Sequence, residues 1–178
     1  MSNGESHGGL KLRAQDAEDL RIIAACLQDA LIPLSDCEFA PDSRRFLFVA
    51  NRFRWENCDE TADMPFVPTS ASSADDPAFA EACSSYERVN CAICFDNVTH
   101  VRRRGFDQRN RGQILELLTM EIESGANGTG KAVVLVFAGG SAIRLEGENI
   151  SCRVGDIGEP WPTQWRPHHP DKPAGEAA

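Results

Sequence analysis

Residues 131–154 read KAVVLVFAGGSAIRLEGENISCRV, and the punctuation of this stretch settles the class of fold. Lys131 to Phe137 is a β-branched apolar run that reads as a strand. Gly139-Gly140 then offers a tight turn, since glycine takes the backbone angles a two-residue hairpin requires. Ser141 to Glu146 alternates with Ile143 and Leu145 inward. Gly147-Glu148-Asn149 turns the chain into a last alternating strand, with Ile150, Cys152 and Val154 inward. Strands joined by turns this short pair antiparallel; a parallel pair needs a long crossover between its strands.

Working upstream, residues 125–130 (GANGTG) are a Gly-rich turn, so the ambiguous run before it reads as the other arm of a hairpin. Residues 116–123 are therefore expected as a strand, with room for a helical turn ahead of it. Tyr86 to Val101 is strand-like, with Val89, Cys91, Ile93 and Phe95 on one parity. Arg44 to Glu56, RRFLFVANRFRWE, is apolar on both parities early and on one parity late. That predicts a strand covered on both faces at first and half exposed afterwards, with Arg52 and Arg54 on the exposed side. Cys37 to Ala40 and Leu10 to Ala14 are shorter candidates. Between them Asp16 offers an N-cap oxygen, and Leu20, Ile23, Ala24 and Leu27 form one apolar stripe, which predicts a helix over 16–30. Pro33 prevents its continuation.

Together these elements predict an α+β domain of about seven strands with one packed N-terminal helix. The sheet is expected to be antiparallel or a partly closed barrel, either a PH-like roll or a split-barrel-like roll. Residues 1–9 read as a disordered lead, 10–171 as a single domain, and 172–178 as a disordered tail. The proline-dense stretch GEPWPTQWRPHHPD is expected to run extended over the surface, with Trp161 and Trp165 as anchors either against the domain itself, the favoured reading, or in the groove of a protein partner.

Composition is ordinary for a globular chain of 178 residues, with 42% hydrophobic and 25% charged residues. The net charge of −9 is concentrated. Residues 57–85 hold six acids and no Lys or Arg, so they carry −6 and the rest of the chain −3. This Ser-, Ala-, Asp- and Pro-rich stretch reads as a flexible acidic insertion at a hairpin tip. The longest apolar run, Ala132–Ala138, is far below the length of a membrane span. The N-terminus lacks a cationic start and an apolar core, so no export signal is read and a cytoplasmic setting is expected. Seven cysteines, an odd number, read as reduced thiols rather than a disulfide framework.

The segments LRAQDAEDLRIIAACLQDA (12–30), RRFLFVANRFRWE (44–56) and DIGEPWPTQWRPHHPD (156–171) resemble a family of small, mainly alphaproteobacterial proteins described only as a domain of unknown function. The resemblance covers about residues 10–56 and 86–171. It implies a cytoplasmic bacterial setting and brings no activity, cofactor or catalytic residue with it.

Several constellations can be weighed on chemistry alone. Cys91-Ala-Ile-Cys94 has the spacing of a redox or metal pair, but inside a strand residues i and i+3 face opposite ways, so the sulfurs should diverge. His168-His169 diverge for the same reason in an extended segment. No metal site and no cofactor is expected. His100, as a general base, would need a nucleophile and an orienting carboxylate, for which Ser84, Ser85, Asp96 and Asp107 are available without any spacing that points to a triad. Arg102-Arg103-Arg104, before Gly105 and with Arg109 and Arg111 following, could grip phosphate oxygens in bidentate fashion. Arg52, Arg54 and Arg44-Arg45 would extend that patch if their strands are neighbours. The leading expectation is a non-catalytic binding or adaptor domain with a protein partner. The alternatives are a small hydrolase or transferase using His100, and a binder of RNA or anionic lipid through Arg102–Arg104.

Overall fold

In a computed structural model of the chain, which describes residues 9–57, 86–107, 109–124 and 130–167, Asp16 starts the helix in the way its position predicts. Its carboxylate accepts the backbone N–H groups of Glu18 and Asp19, both at 2.9 Å, satisfying two of the donors that a helix leaves unpaired at its start. Helix α1 runs Ala17–Cys26 and ends earlier than the expected limit of 30. Leu20, Ile23 and Leu27 all turn into the core. Asp29 then takes a positive φ of 59°, which reverses the chain into the next strand.

Among the described residues ten strands form one antiparallel sheet with one α-helix packed on it, an α+β architecture. They are β1 (Lys11–Ala14), β2 (Leu31–Pro33), β3 (Cys37–Ala40), β4 (Arg45–Phe53), β5 (Tyr86–Asp96), β6 (His100–Arg104), β7 (Ile114–Ser124), β8 (Lys131–Phe137), β9 (Ala142–Gly147) and β10 (Ser151–Thr163). The spatial order is β1-β10-β5-β4-β2-β7-β8-β9-β6, with β3 paired to β4 beside this path. The expectation of an antiparallel sheet or partly closed barrel of about seven strands holds for the antiparallel sheet and is corrected on two points. The described residues form ten strands, and their sheet does not close on itself.

The difference has identifiable causes. Leu31–Pro33 is only three residues long and too brief for an alternation signal, yet it bridges β4 and β7. The run from Tyr86 to Val101 divides at Asn97, which holds a φ of 64° and lets β6 leave β5 to pair with β9. The last strand continues through its prolines. β1 covers only Cys152 to Gly155 of β10, whereas β5 follows β10 as far as Thr163. Beyond Asp156, whose N–H still bonds the Leu10 carbonyl, no described strand pairs with this edge of β10, and a proline there forfeits no bond of the described ladder. The register shifts between Ile157 and Trp161, where Gly158 adopts a φ of 77°, the geometry of a bulge.

One face of the sheet and α1 enclose the core. Phe46, Phe48 and Ala50 of β4, Cys91, Ile93 and Phe95 of β5, and Cys152 and Val154 of β10 all point inward. Leu135, Ile143 and Leu145 close it from the other half. The expectations for the N-terminal lead, for residues 58–85, for His168 and His169 and for the C-terminal tail lie outside the described residues. Among the described residues no helix is long and apolar enough to cross a membrane.

Candidate binding site

The arginines singled out in the sequence separate into two unlike groups. Arg102, Arg103 and Arg104 lie exposed on β6, an outermost strand of the sheet. Arg102 is 66% exposed and sits 3.4 Å from Glu146. Glu146 is shared with Arg144, which also pairs with Glu123, so that Glu123, Arg144, Glu146 and Arg102 form a ladder of alternating charge across the strands. The other two do not extend this patch. Arg52 is fully buried and Arg54 nearly so, which corrects the expectation that both face solvent. Arg102–Arg104 belong to β6 and Arg52 to β4, and four strands, β2, β7, β8 and β9, lie between those two in the order of the sheet.

Arg52 continues the inward parity of Phe46, Phe48 and Ala50. Asp156 does the same for Cys152 and Val154 on β10. Their side chains, 1% and 4% exposed, meet at 2.8 Å at the end of the core. The guanidinium is fully engaged: Nε and one terminal nitrogen reach Asp156, the terminal nitrogens reach both Glu56 oxygens, and one also reaches the Phe53 carbonyl. Burial would lower the pKa of Arg52, but hydrogen bonds to Asp156 and Glu56 outweigh it and raise it. Burial would likewise raise Glu56, yet bonds from Arg52, its own backbone and Arg54 hold it at about 2. Arg54 meets Glu87 at 2.6 Å, and Asn57 donates to the same carboxylate at 2.8 Å. These contacts tie the chain leaving β4 to the chain entering β5.

The opposite face of the same corner gathers a different chemistry. In register, Phe53 of β4 stands beside Arg88 of β5, and Arg88 beside Trp161 of β10. Residues directly opposed on neighbouring strands share a face, so one row crosses three strands. Phe53 is fully buried but outside the main core. Trp55 packs on it at 4.6 Å between ring centroids and Tyr86 at 5.7 Å. The Trp55 indole N–H donates to the Gln28 carbonyl at 3.2 Å. Arg88 lies over the Phe53 ring at 5.8 Å, within the range of a cation–π contact. Its NH1 donates to the Asn51 backbone oxygen at 3.1 Å and the Asn51 side-chain oxygen at 3.0 Å. Burial lowers its pKa, with Asp29 and Glu116 opposing. Arg52 and Arg54 pair with carboxylates; Arg88, half-buried in the same corner, hydrogen-bonds the neutral Asn51 side chain and the Asn51 carbonyl among the described residues.

The remaining candidates are dispersed. His100 is exposed, with Nδ1 3.1 Å from the Thr99 hydroxyl. Asp96 is engaged by Arg45 and Arg153, and Asp107 accepts from the Arg109 backbone; Ser84 and Ser85 lie outside the described residues. Cys91 is buried and Cys94 half-exposed on the opposite face, as the strand period requires. Burial pushes the Cys91 thiol up to about 12 and Cys37 to about 11, the direction of an unreactive thiol. Among the described residues no cluster of His, Cys, Asp or Glu is placed to hold a metal ion. Trp161 is half-buried and Trp165 is 80% exposed, so Trp165 is no anchor against the described surface.

Arg88, Tyr86, Trp55 and Asn51 were not singled out from the sequence. The available signal was their position, at the two strand ends that flank the long acidic stretch, where binding residues concentrate. A family model described as a protein of unknown function, DUF2948, matches residues 10–169. No curated protein and no solved structure matches the chain.

Proposed function

Because the chain belongs to this family, whose description carries no activity, the reading rests on the site itself, and we propose a non-catalytic binding domain whose contact surface is formed by Arg88, Trp161, Trp55 and Tyr86 over the buried Phe53. The observation that carries the reading is the concentration of Trp, Tyr and Arg on one solvent-facing corner of a rigid sheet, anchored from below by the Arg52 network. Those three residue types dominate binding energy at interfaces, because they offer large apolar area together with a polar handle. A cytoplasmic protein partner fits this reading. The test is affinity capture from the native cell with three baits: the natural chain, Trp161→Ala and Arg104→Glu. A partner retained by the natural chain and by Arg104→Glu but lost with Trp161→Ala supports the assignment. Equal retention by all three refutes it.

A second reading is supported by the exposure of Arg102, Arg103 and Arg104 on an outermost strand. On it the domain binds phosphate groups of RNA or anionic lipid through these side chains. Binding would then fall steeply with salt, because neutralised phosphates release counterions. A triple Arg→Glu variant should fold and lose retention in filter binding and liposome co-sedimentation at low salt. If the natural chain is not retained on either, this reading fails.

A further inference from the structure

We propose that Arg88 is the anchor of a subsite for a small ligand that carries an oxyanion, carboxylate or phosphate, on a flat apolar body; the inference rests on the binding face assigned above. The donor inventory of Arg88 leads there. A guanidinium has five N–H donors. The two on NH1 match the two Asn51 oxygens at 3.1 and 3.0 Å. The Nε–H and NH2 edge remains, and that edge presents parallel donors at the spacing of the two oxygens of a carboxylate or phosphate. Asn51 thereby fixes the plane of the fork, so little side-chain freedom is left to lose when an anion arrives.

The surroundings favour the same class. Arg88 is partly withdrawn from water, and no described carboxylate forms an ion pair with it, in contrast to Arg52 and Arg54 beside it. A charge desolvated without a close counter-ion gains more from an incoming anion than an exposed one does. Asp29 and Glu116 oppose the effect of burial on it. Phe53 lies under the guanidinium, and Trp161 stands next in the row with part of its surface open. A planar body attached to the anion can therefore lie along the row on an aromatic side chain while its head reaches the fork. A bare anion would use the fork alone.

The experiment is a titration of the full chain with benzoate, phenyl phosphate, benzamide, acetate and inorganic phosphate. It follows the Arg88 Nε–Hε and Trp161 indole resonances by NMR, with affinities from calorimetry. Benzoate or phenyl phosphate should bind about tenfold or more tightly than neutral benzamide, the worth of one charge-assisted pair, and more tightly than acetate or phosphate. Arg88→Gln should reduce the anions to the benzamide level, with the amide spectrum reporting that the variant is folded. Should that variant not fold, the comparison of benzoate with benzamide on the natural chain decides the matter. Benzoate preferred over phenyl phosphate assigns a carboxylate head, and the reverse assigns a phosphate head. Equal shifts with benzoate and benzamide overturn the oxyanion subsite and leave the binding face standing. Anion shifts confined to Arg102–Arg104 overturn it as well. No shift with any probe overturns it too, while the capture comparison with Trp161→Ala still judges the face.

Discussion

Removing the charge of Asp156 without changing its size is the most informative perturbation of this fold. Asp156 accepts from Arg52 through both oxygens at 2.8 Å and from the Leu10 backbone N–H at 2.8 Å. In Asp156→Asn one of those oxygens becomes a donor, which then faces a donor, and Arg52 keeps only Glu56 as its counter-ion. Breaking a buried ion pair costs about 3–5 kcal/mol, because the remaining charge stays away from water. Glu56 is 45% exposed and still paired, which places the loss at the low end, about 3 kcal/mol. For a domain of this size that corresponds to a fall in Tm of about 6–12 °C. Glu56→Gln, at the exposed end of the same network, should cost about 1 kcal/mol or less. Urea unfolding followed by tryptophan fluorescence measures both, with an unchanged m-value as the control that the native state is intact. An apolar pair, Arg52→Met with Asp156→Leu, should recover most of the loss, since hydrophobic replacement of a buried pair is often neutral. A cost below about 0.5 kcal/mol for Asp156→Asn, or one no larger than for Glu56→Gln, would refute the idea that this pair supports the corner.

Leu27→Ala should cost about 3 kcal/mol in the same assay, because the side chain is fully buried beneath the sheet; a change under about 0.5 kcal/mol contradicts the packing of α1. Gly147→Ala places a Cβ against the Asn97 carbonyl oxygen, and should cost about 1–3 kcal/mol by overpacking the β5–β6 corner. An alanine tolerated there without loss would show that the corner relaxes. Stability should also respond to acid through Glu56, whose carboxyl is depressed from 4.5 to about 2 in the folded chain. A depressed carboxyl contributes in full above the unfolded value, and the contribution disappears as pH falls from about 4.5 toward 2. Half-exposure limits the amount to about 1 kcal/mol; in Glu56→Gln that part of the pH dependence should vanish from denaturation curves taken between pH 2 and 5.

Helix α1 was legible because its signals are local. Asp16, the acidic first turn and the stripe from Leu20 to Leu27 lie within three turns of chain. The meander of β7 to β9 was legible for the same reason, through glycine turns between alternating runs, whereas β10 leaves it after Gly147 to pair with β5 and β1, which no local signal announces. Arg52 was misplaced because its residue type overrode its parity. Phe46, Phe48, Ala50 and Arg52 share one face of β4, and the period of two alone puts the arginine inside. Its counter-ion also lies on an inward parity, but 104 positions away, and only the pairing of β10 with β5 brings the two together. The Phe53–Arg88–Trp161 row was hidden likewise. Each residue belongs to a different strand, and a register bulge at Gly158 intervenes, so no spacing along the chain announces it. The prolines of β10 concealed a strand because their tolerance depends on where β1 stops.

Amide hydrogen exchange of the captured complex, compared with the free chain, tests the binding face most directly. Protection gained at residues 51–55, 86–90 and 161–163 is the predicted result, since these backbones carry the Phe53–Arg88–Trp161 row and its neighbours. Slower exchange confined to 100–104 on β6, with that corner unchanged, would contradict the account and move the contact surface to the exposed arginines.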